Sequence, residues 1–272
     1  MSDLLRLVGY SLRRSRAMII AMGAVLACFQ VILILVAKSI QGSNAFGEIE
    51  ALVPPFAREL MGPSLAGMMS FKGIVCLGYF HVAVMGSLVA LSIAIATVPA
   101  SEVETGFIDL ILSRSVPRHW IITRSILVVL LSTIALLMTM MAGTWAGLRL
   151  LAPASAEWPT ASLVLSLAGN LGLLMLCWAG IAMAIGSVSR RRGTATGVAG
   201  LFALVTFLLD YVARVWKAAE PLARLSPFRY YSPFDLLMGT PVPASSLGVL
   251  TTTAVAGFAL AYVFFDRRDI SR

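Results

Sequence analysis

The sequence predicts an all-α integral membrane protein of six transmembrane helices with both termini in the cytoplasm. Three observations carry that prediction. Of 272 residues, 59% are apolar and 12% charged, and the mean hydropathy is +0.90. A soluble domain has about a quarter of its residues charged, so this chain has too little polar surface to stay in water. Next, six apolar runs reach the roughly 20 residues that cross a hydrocarbon core of about 30 Å. Finally, the basic residues divide unevenly. With the N-terminus inside, segments 1–16, 99–124, 189–193 and 266–272 hold 13 of the 21 Lys/Arg in 54 residues, against 8 in the 82 residues of 38–73, 149–161 and 213–245. Positive charge favours the cytoplasmic side.

The chain reads as a single transmembrane domain. Residues 1–16 come first. At 100° per residue Leu4, Leu5, Val8 and Leu12 share one face, and Arg6, Tyr10, Arg13 and Arg14 lie opposite. That pattern predicts an interfacial helix with its arginines toward anionic headgroups. The spans follow at about 17–37, 74–98, 125–148, 162–188, 194–212 and 246–265. The basic lead-in resembles a signal peptide, but the first apolar run is near full span length, whereas a secretory core is about 7–15 residues, so it reads as a retained span. Arg190, Arg191 and Arg192 force the break between spans four and five, because three charges inside lipid would cost several kcal/mol.

Two loops have patterns of their own. Residues 101–118, between spans two and three, predict a short amphipathic helix. Ser101 and Glu104 form an S-x-x-E capping box. Glu102 and Glu104 suit a helix N-terminus. Val103, Phe107, Leu110 and Ile111 make one apolar stripe, and Pro117 ends it. An acidic start is poorly matched to an anionic membrane surface, so a cytoplasmic protein partner fits better. Residues 213–245 form an outer segment whose helix-compatible start stops at Pro227. Phe228, Tyr230, Tyr231 and Phe234 then read as an interfacial aromatic belt, with an outer gate as the alternative. In the first outer loop, 56–61 after Pro54 and Pro55 are compatible with the start of a helix.

Several chemistries have no visible support. No GxxxxGK[ST], GxGxxG or HExxH motif is present. Cys28, Cys76 and Cys177 all fall in apolar runs, where a cysteine acts as a small apolar residue, so no disulfide or metal cluster is expected. The net charge of +8 is expected on cytoplasmic loops and does not point to nucleic acid.

With Glu102, Glu104 and Gly106 the chain resembles the type 2 ABC transporter permeases. Their intracellular segment runs roughly E-x-E-x-G-T, apolar and acidic residues, then L-L-S-x-P-x-x-R. Here Phe107, Asp109, Leu110, Leu112, Ser113 and Arg118 follow; Phe107 stands for the Thr, and the Pro comes two places late at Pro117. FDRRDI at 265–270 is similar to the F-x-R-R-D ending of these permeases, and LSPFRYYSPFDLL at 225–237 to their outer segment. The layout agrees along the whole chain. The resemblance implies one membrane subunit of an exporter in the bacterial inner membrane. It implies a second permease copy or close paralogue and two ABC ATPase subunits that carry the ATP and Mg; the chain itself would hold no cofactor and do no chemistry. Glu102, Glu104, Gly106, Phe107, Asp109 and Arg118 would then belong to the coupling helix seated on the ATPase, driving alternating access.

Polar groups inside spans are functional candidates. At 1.5 Å per helical residue, Gln30 and His81 lie about 10 Å and Asn170 about 12 Å below the outer ends of their spans. Asp210 is close to the outer end of span five. Together they are candidates for a substrate path; the plainer reading is interhelical hydrogen bonding, worth about 0.6 kcal/mol on average. Gly143 and Gly147, Gly180 and Ala184, and Ala182 and Gly186 are close-packing signals within or between subunits. Two other function classes stay open: a non-transporting scaffold or sensor coupled to an ATPase, and an intramembrane enzyme using His81. The latter lacks a clustered catalytic set, since His81 and His119 are the two histidines and neither has a second ligand at metal spacing.

Overall fold

A computed structural model describes residues 2–42, 70–108 and 117–267. Its helices are α1 (Ser2–Gly42), α2 (Phe71–Phe80), α3 (Val82–Ala96), α4 (Val98–Glu104), α5 (His119–Leu151), α6 (Ala161–Val188), α7 (Arg192–Val215), α8 (Glu220–Ala223), α9 (Pro233–Leu237) and α10 (Ala244–Asp266). No strand occurs among the described residues. Six helical stretches are long and apolar enough to cross a membrane, with the second made of α2 to α4. The chain is therefore an all-α, multi-pass membrane protein.

Two helix pairs and one central helix organise the bundle. α1 packs along α5, and α6 along α10. Of the glycines expected at close contacts, Gly143, Gly147 and Gly180 lie in these intrachain seams, whereas Gly186 faces Thr97 and Ala100 at ordinary contact distance. A Cβ added at Gly143 would sit 2.7 Å from the Ala27 backbone, and one at Gly147 would sit 2.6 Å from Ile34. On the other seam, a Cβ at Gly257 would collide with the Gly180 carbonyl carbon. Small residues let the backbones touch, and in lipid that dispersion gain drives helix association. α6 is the hub: it contacts α2, α3, α4, α5, α7, α9 and α10. Its Leu171, Leu174, Cys177 and Trp178 are fully buried.

Three features depart from the sequence-based expectation. Residues 1–16 were expected as a separate interfacial helix; from Ser2 onward they run without a break into the first span. No glycine or proline stands between Tyr10 and Met22 to interrupt the ladder, and Val8 is already buried in the core. Span two, expected as one helix, is broken at His81, which has extended backbone (φ −61°, ψ 129°). Residues 101–118 do not begin a helix at Ser101. Pro99 suits the first turn of α4, so the helix starts at Val98 and Ser101 lies inside it. Thr105 and Gly106 end it, Gly106 taking the left-handed φ of 70° that a helix C-terminus favours. Helix resumes at Phe107 and Ile108. Asp109, Leu110, Ile111, Leu112 and Ser113 lie outside the described residues, as do 56–61 and the last residues of FDRRDI.

Candidate functional site

The end of the bundle that carries the N-terminus gathers charges from four helices. Glu102 and Glu104 sit in the last turn of α4, where the helix dipole opposes negative charge. Each is compensated from elsewhere. Glu102 forms an ion pair with Arg124 of α5, and both side chains are nearly sealed, 4% and 2% exposed. Glu104 accepts the backbone N–H of Arg192 at 2.8 Å. Arg192 is the first residue of α7, whose N-terminus has no side-chain cap of its own. Glu104 therefore supplies in trans the negative group that a helix start favours. The capping box expected of Glu104 is replaced by this longer-range cap. The Arg192 guanidinium reaches back to the Ala94 carbonyl at 3.1 Å, and Thr97 and Thr196 hydroxyls meet at 3.0 Å. The linkage joins the end of span two, the start of span three and the start of span five.

Phe107 stacks on Tyr10 of α1, ring centroids 6.5 Å apart. The residues expected for coupling thus touch α1, α5 and α7 through Phe107, Glu102 and Glu104. Arg118 lies at the start of α5 as its N-cap. Arg124 and Arg192 were not among the expected site residues. The one signal for Arg124 is a lone charge at the border of an apolar run, which a loop count absorbs.

The opposite end is built on the break at His81. Within a helix the Tyr79 carbonyl would accept the N–H of Ala83. Here that N–H goes to His81 Nδ1 at 3.3 Å. The freed carbonyl accepts from the Tyr231 hydroxyl at 2.7 Å. Burial pushes the Tyr231 phenol up from its ordinary range, so it stays a neutral donor. Ser226 donates to the Thr206 carbonyl at 2.9 Å. Phe228 packs against Trp178 and Phe207, and Phe234 against Phe80. The aromatic belt expected at 228–234 is corrected by this geometry: Phe228 and Tyr231 are buried. Pro227 and Pro233 start short turns that fold the segment onto the bundle instead of along its rim.

Between α3 and α7 a groove runs up to this segment. Its deeper part, about 280 Å³, is apolar and lined by Met85, Val89, Ile93, Ala203, Leu204 and Phe207. Its mouth, about 560 Å³, shares Val82, Met85, Phe207 and Phe228 and adds Asp210, Arg214, Arg229 and Asp235. Asp210 pairs with Arg214 at 2.9 Å.

Of the four expected path residues, Asp210 lines this groove. The others lie elsewhere. Gln30 is fully buried, and a Cβ on Gly78 would come within 2.5 Å of its amide. Asn170 is 3% exposed within α6. Neither amide has a hydrogen-bond partner among the described residues. His81 is half-buried at the break with its ring edge on Phe29, centroids 5.4 Å apart. No group of three or more His, Cys, Asp or Glu at metal-binding distance occurs among the described residues.

No curated protein matches the chain. The family model described as ABC-2 family transporter protein matches residues 10–270, nearly the whole chain. The six spans and this match agree, and the protein belongs to the ABC-2 transporter family as a membrane permease component, which implies association with an ABC ATPase subunit.

Proposed function

We propose that this protein is the transmembrane subunit of an ATP-driven exporter, working by alternating access while a separate ATPase hydrolyses ATP. The observation that supports it most is the junction at Glu102–Arg124 and Glu104–Arg192. It is a multi-helix linkage, buried at Glu102–Arg124 and exposed at Glu104–Arg192, at the head of the segment that resembles a coupling helix. A displacement applied to residues 101–118 passes through Glu102 to span three and through Glu104 to span five, which borders the groove. That groove, apolar at depth and charged at its mouth, suits an amphipathic substrate. Export follows the resemblance to type 2 permeases, as does a second copy of the permease facing two ATPases. The N-terminal end faces the cytoplasm on the charge bias of the loops.

The test is affinity purification of the tagged protein with native mass measurement of what accompanies it. Two Walker-motif ATPases per two permeases are expected. With that complex in hand, Glu104→Arg removes the acceptor for the Arg192 N–H and should abolish stimulation of ATP hydrolysis while membrane insertion is unchanged. Glu104→Gln keeps an acceptor and should retain part of it. Full stimulation in Glu104→Arg refutes the coupling assignment. Absence of any ATPase refutes the exporter reading.

A further inference from the structure

At the same end of the bundle a second feature borders the Glu102–Arg124 pair and the start of α7 at Arg192. A cavity of about 200 Å³ opens between α1, α3, α4, α5 and α7. Ser11, Arg14 and Ser15 reach it from α1, Ser101 from α4, Arg124 from α5 and Arg192 from α7. Three arginines and one carboxylate, that of Glu102, line the cavity, and Glu104 lies beside it on the Arg192 N–H, so the wall carries a net positive charge. Glu102 engages one end of the Arg124 guanidinium through Nη2, while its buried Nε has no partner among the described residues. A nine-tenths buried guanidinium with an idle N–H costs free energy unless something polar meets it. Guanidinium forks with hydroxyls beside them match the oxygens of a phosphate.

We propose that this cavity binds a phosphate group, presented by the headgroup of an anionic phospholipid. The lipid source is argued from the rest of the wall. Met18, Ile95 and Val128 close the side toward the spans. Met18 and Ile20 beyond Arg14 are exposed apolar residues of α1. The cavity therefore sits where the polar part of α1 meets its apolar part, the depth at which a headgroup lies. A headgroup held there bridges α1 to the junction of α4, α5 and α7. The inference concerns binding by the permease itself and does not depend on the direction of transport.

The experiment is thermal melting of the purified, delipidated protein with added phosphatidylglycerol, phosphatidylcholine or inorganic phosphate, for the natural sequence and for Arg14→Gln, Arg192→Gln and Arg13→Gln. Arg14 is exposed, so its substitution leaves the fold intact; Arg13 neighbours it but lies off the cavity. Phosphatidylglycerol should stabilise the natural protein in preference to phosphatidylcholine. Arg14→Gln and Arg192→Gln should each weaken that effect roughly tenfold in lipid concentration, the factor expected for about one charge-assisted hydrogen bond. Arg13→Gln should not. Equal effects of the two lipids, or an equal loss in Arg13→Gln, overturn the site. A phosphate effect as large as the lipid effect, and lost in Arg14→Gln, overturns the lipid assignment in favour of a soluble phosphate.

Discussion

Glu102 and Arg124 illustrate what a charge does at the border of an apolar bundle. Each is buried, and each is tolerated because the other is there. Removing one partner leaves an uncompensated charge, which typically costs about 3–5 kcal/mol. Glu102→Ala and Arg124→Ala should each lower the melting temperature in detergent strongly. Replacing both with apolar residues of similar size, as in Glu102→Met with Arg124→Leu, should recover most of the loss. A double variant no better than the singles would show that the pair is not the relevant interaction. A second residue-scale case is Gly78. The Gln30 amide fills the place its side chain would take. Gly78→Ala should destabilise by about 1–3 kcal/mol through overpacking, and Gln30→Ala should relieve it. Additive losses in the double variant would refute the contact.

At the scale of elements, the broken second span decides how the outer segment docks. His81 diverts one N–H, one carbonyl is released, and Tyr231 takes it. Tyr231→Phe leaves that buried carbonyl unpaired and should cost about 1–3 kcal/mol, read from thermal melting. It should do so without loss of the spans, which circular dichroism would report as unchanged helix content. Unchanged melting would mean that Phe228 and its aromatic neighbours hold the segment by themselves. The α6–α10 seam makes a complementary case. Gly180 and Gly257 bring two backbones into contact. Gly257→Ala should separate α10 from α6 and cost about 1–3 kcal/mol. Gly197, whose added Cβ would meet no atom within 4 Å, should accept Ala at no such cost.

For the whole molecule, the loop charges predict which end faces which compartment. Cysteine placed at Ser155, in an exposed loop at the groove end, should react with an impermeant maleimide in intact cells. Cysteine at Arg190, exposed at the opposite end, should react only after permeabilisation. The reverse pattern would invert the topology. It would also place the junction of Glu102 and Glu104 outside, away from any cytoplasmic ATPase.

Much of this architecture is legible in the chain itself. Span number follows from apolar length, because an unpaired backbone in lipid is too costly for anything but a helix. The break at Arg190–Arg192 follows from the cost of charge in lipid. The glycine pairs announce close approach, though not which helix approaches. What the chain by itself does not contain is the partner of each group. Ser101 and Glu104 carry the spacing of a capping box, yet Pro99 starts the helix earlier and Glu104 caps a helix 88 residues further along. Local spacing was a true signal of a helix terminus and silent about whose. Phe228 and Tyr231 have the composition of a belt, yet the carbonyl released at His81 draws Tyr231 inward. Rise per residue predicts one depth for Gln30, His81 and Asn170, but it does not say which face each takes, which the packing of α1, α2 and α6 sets. Length, hydropathy and charge act along the chain and so are written in it. Long-range hydrogen bonds and ion pairs join residues that are far apart in the chain, and only the packed bundle determines them.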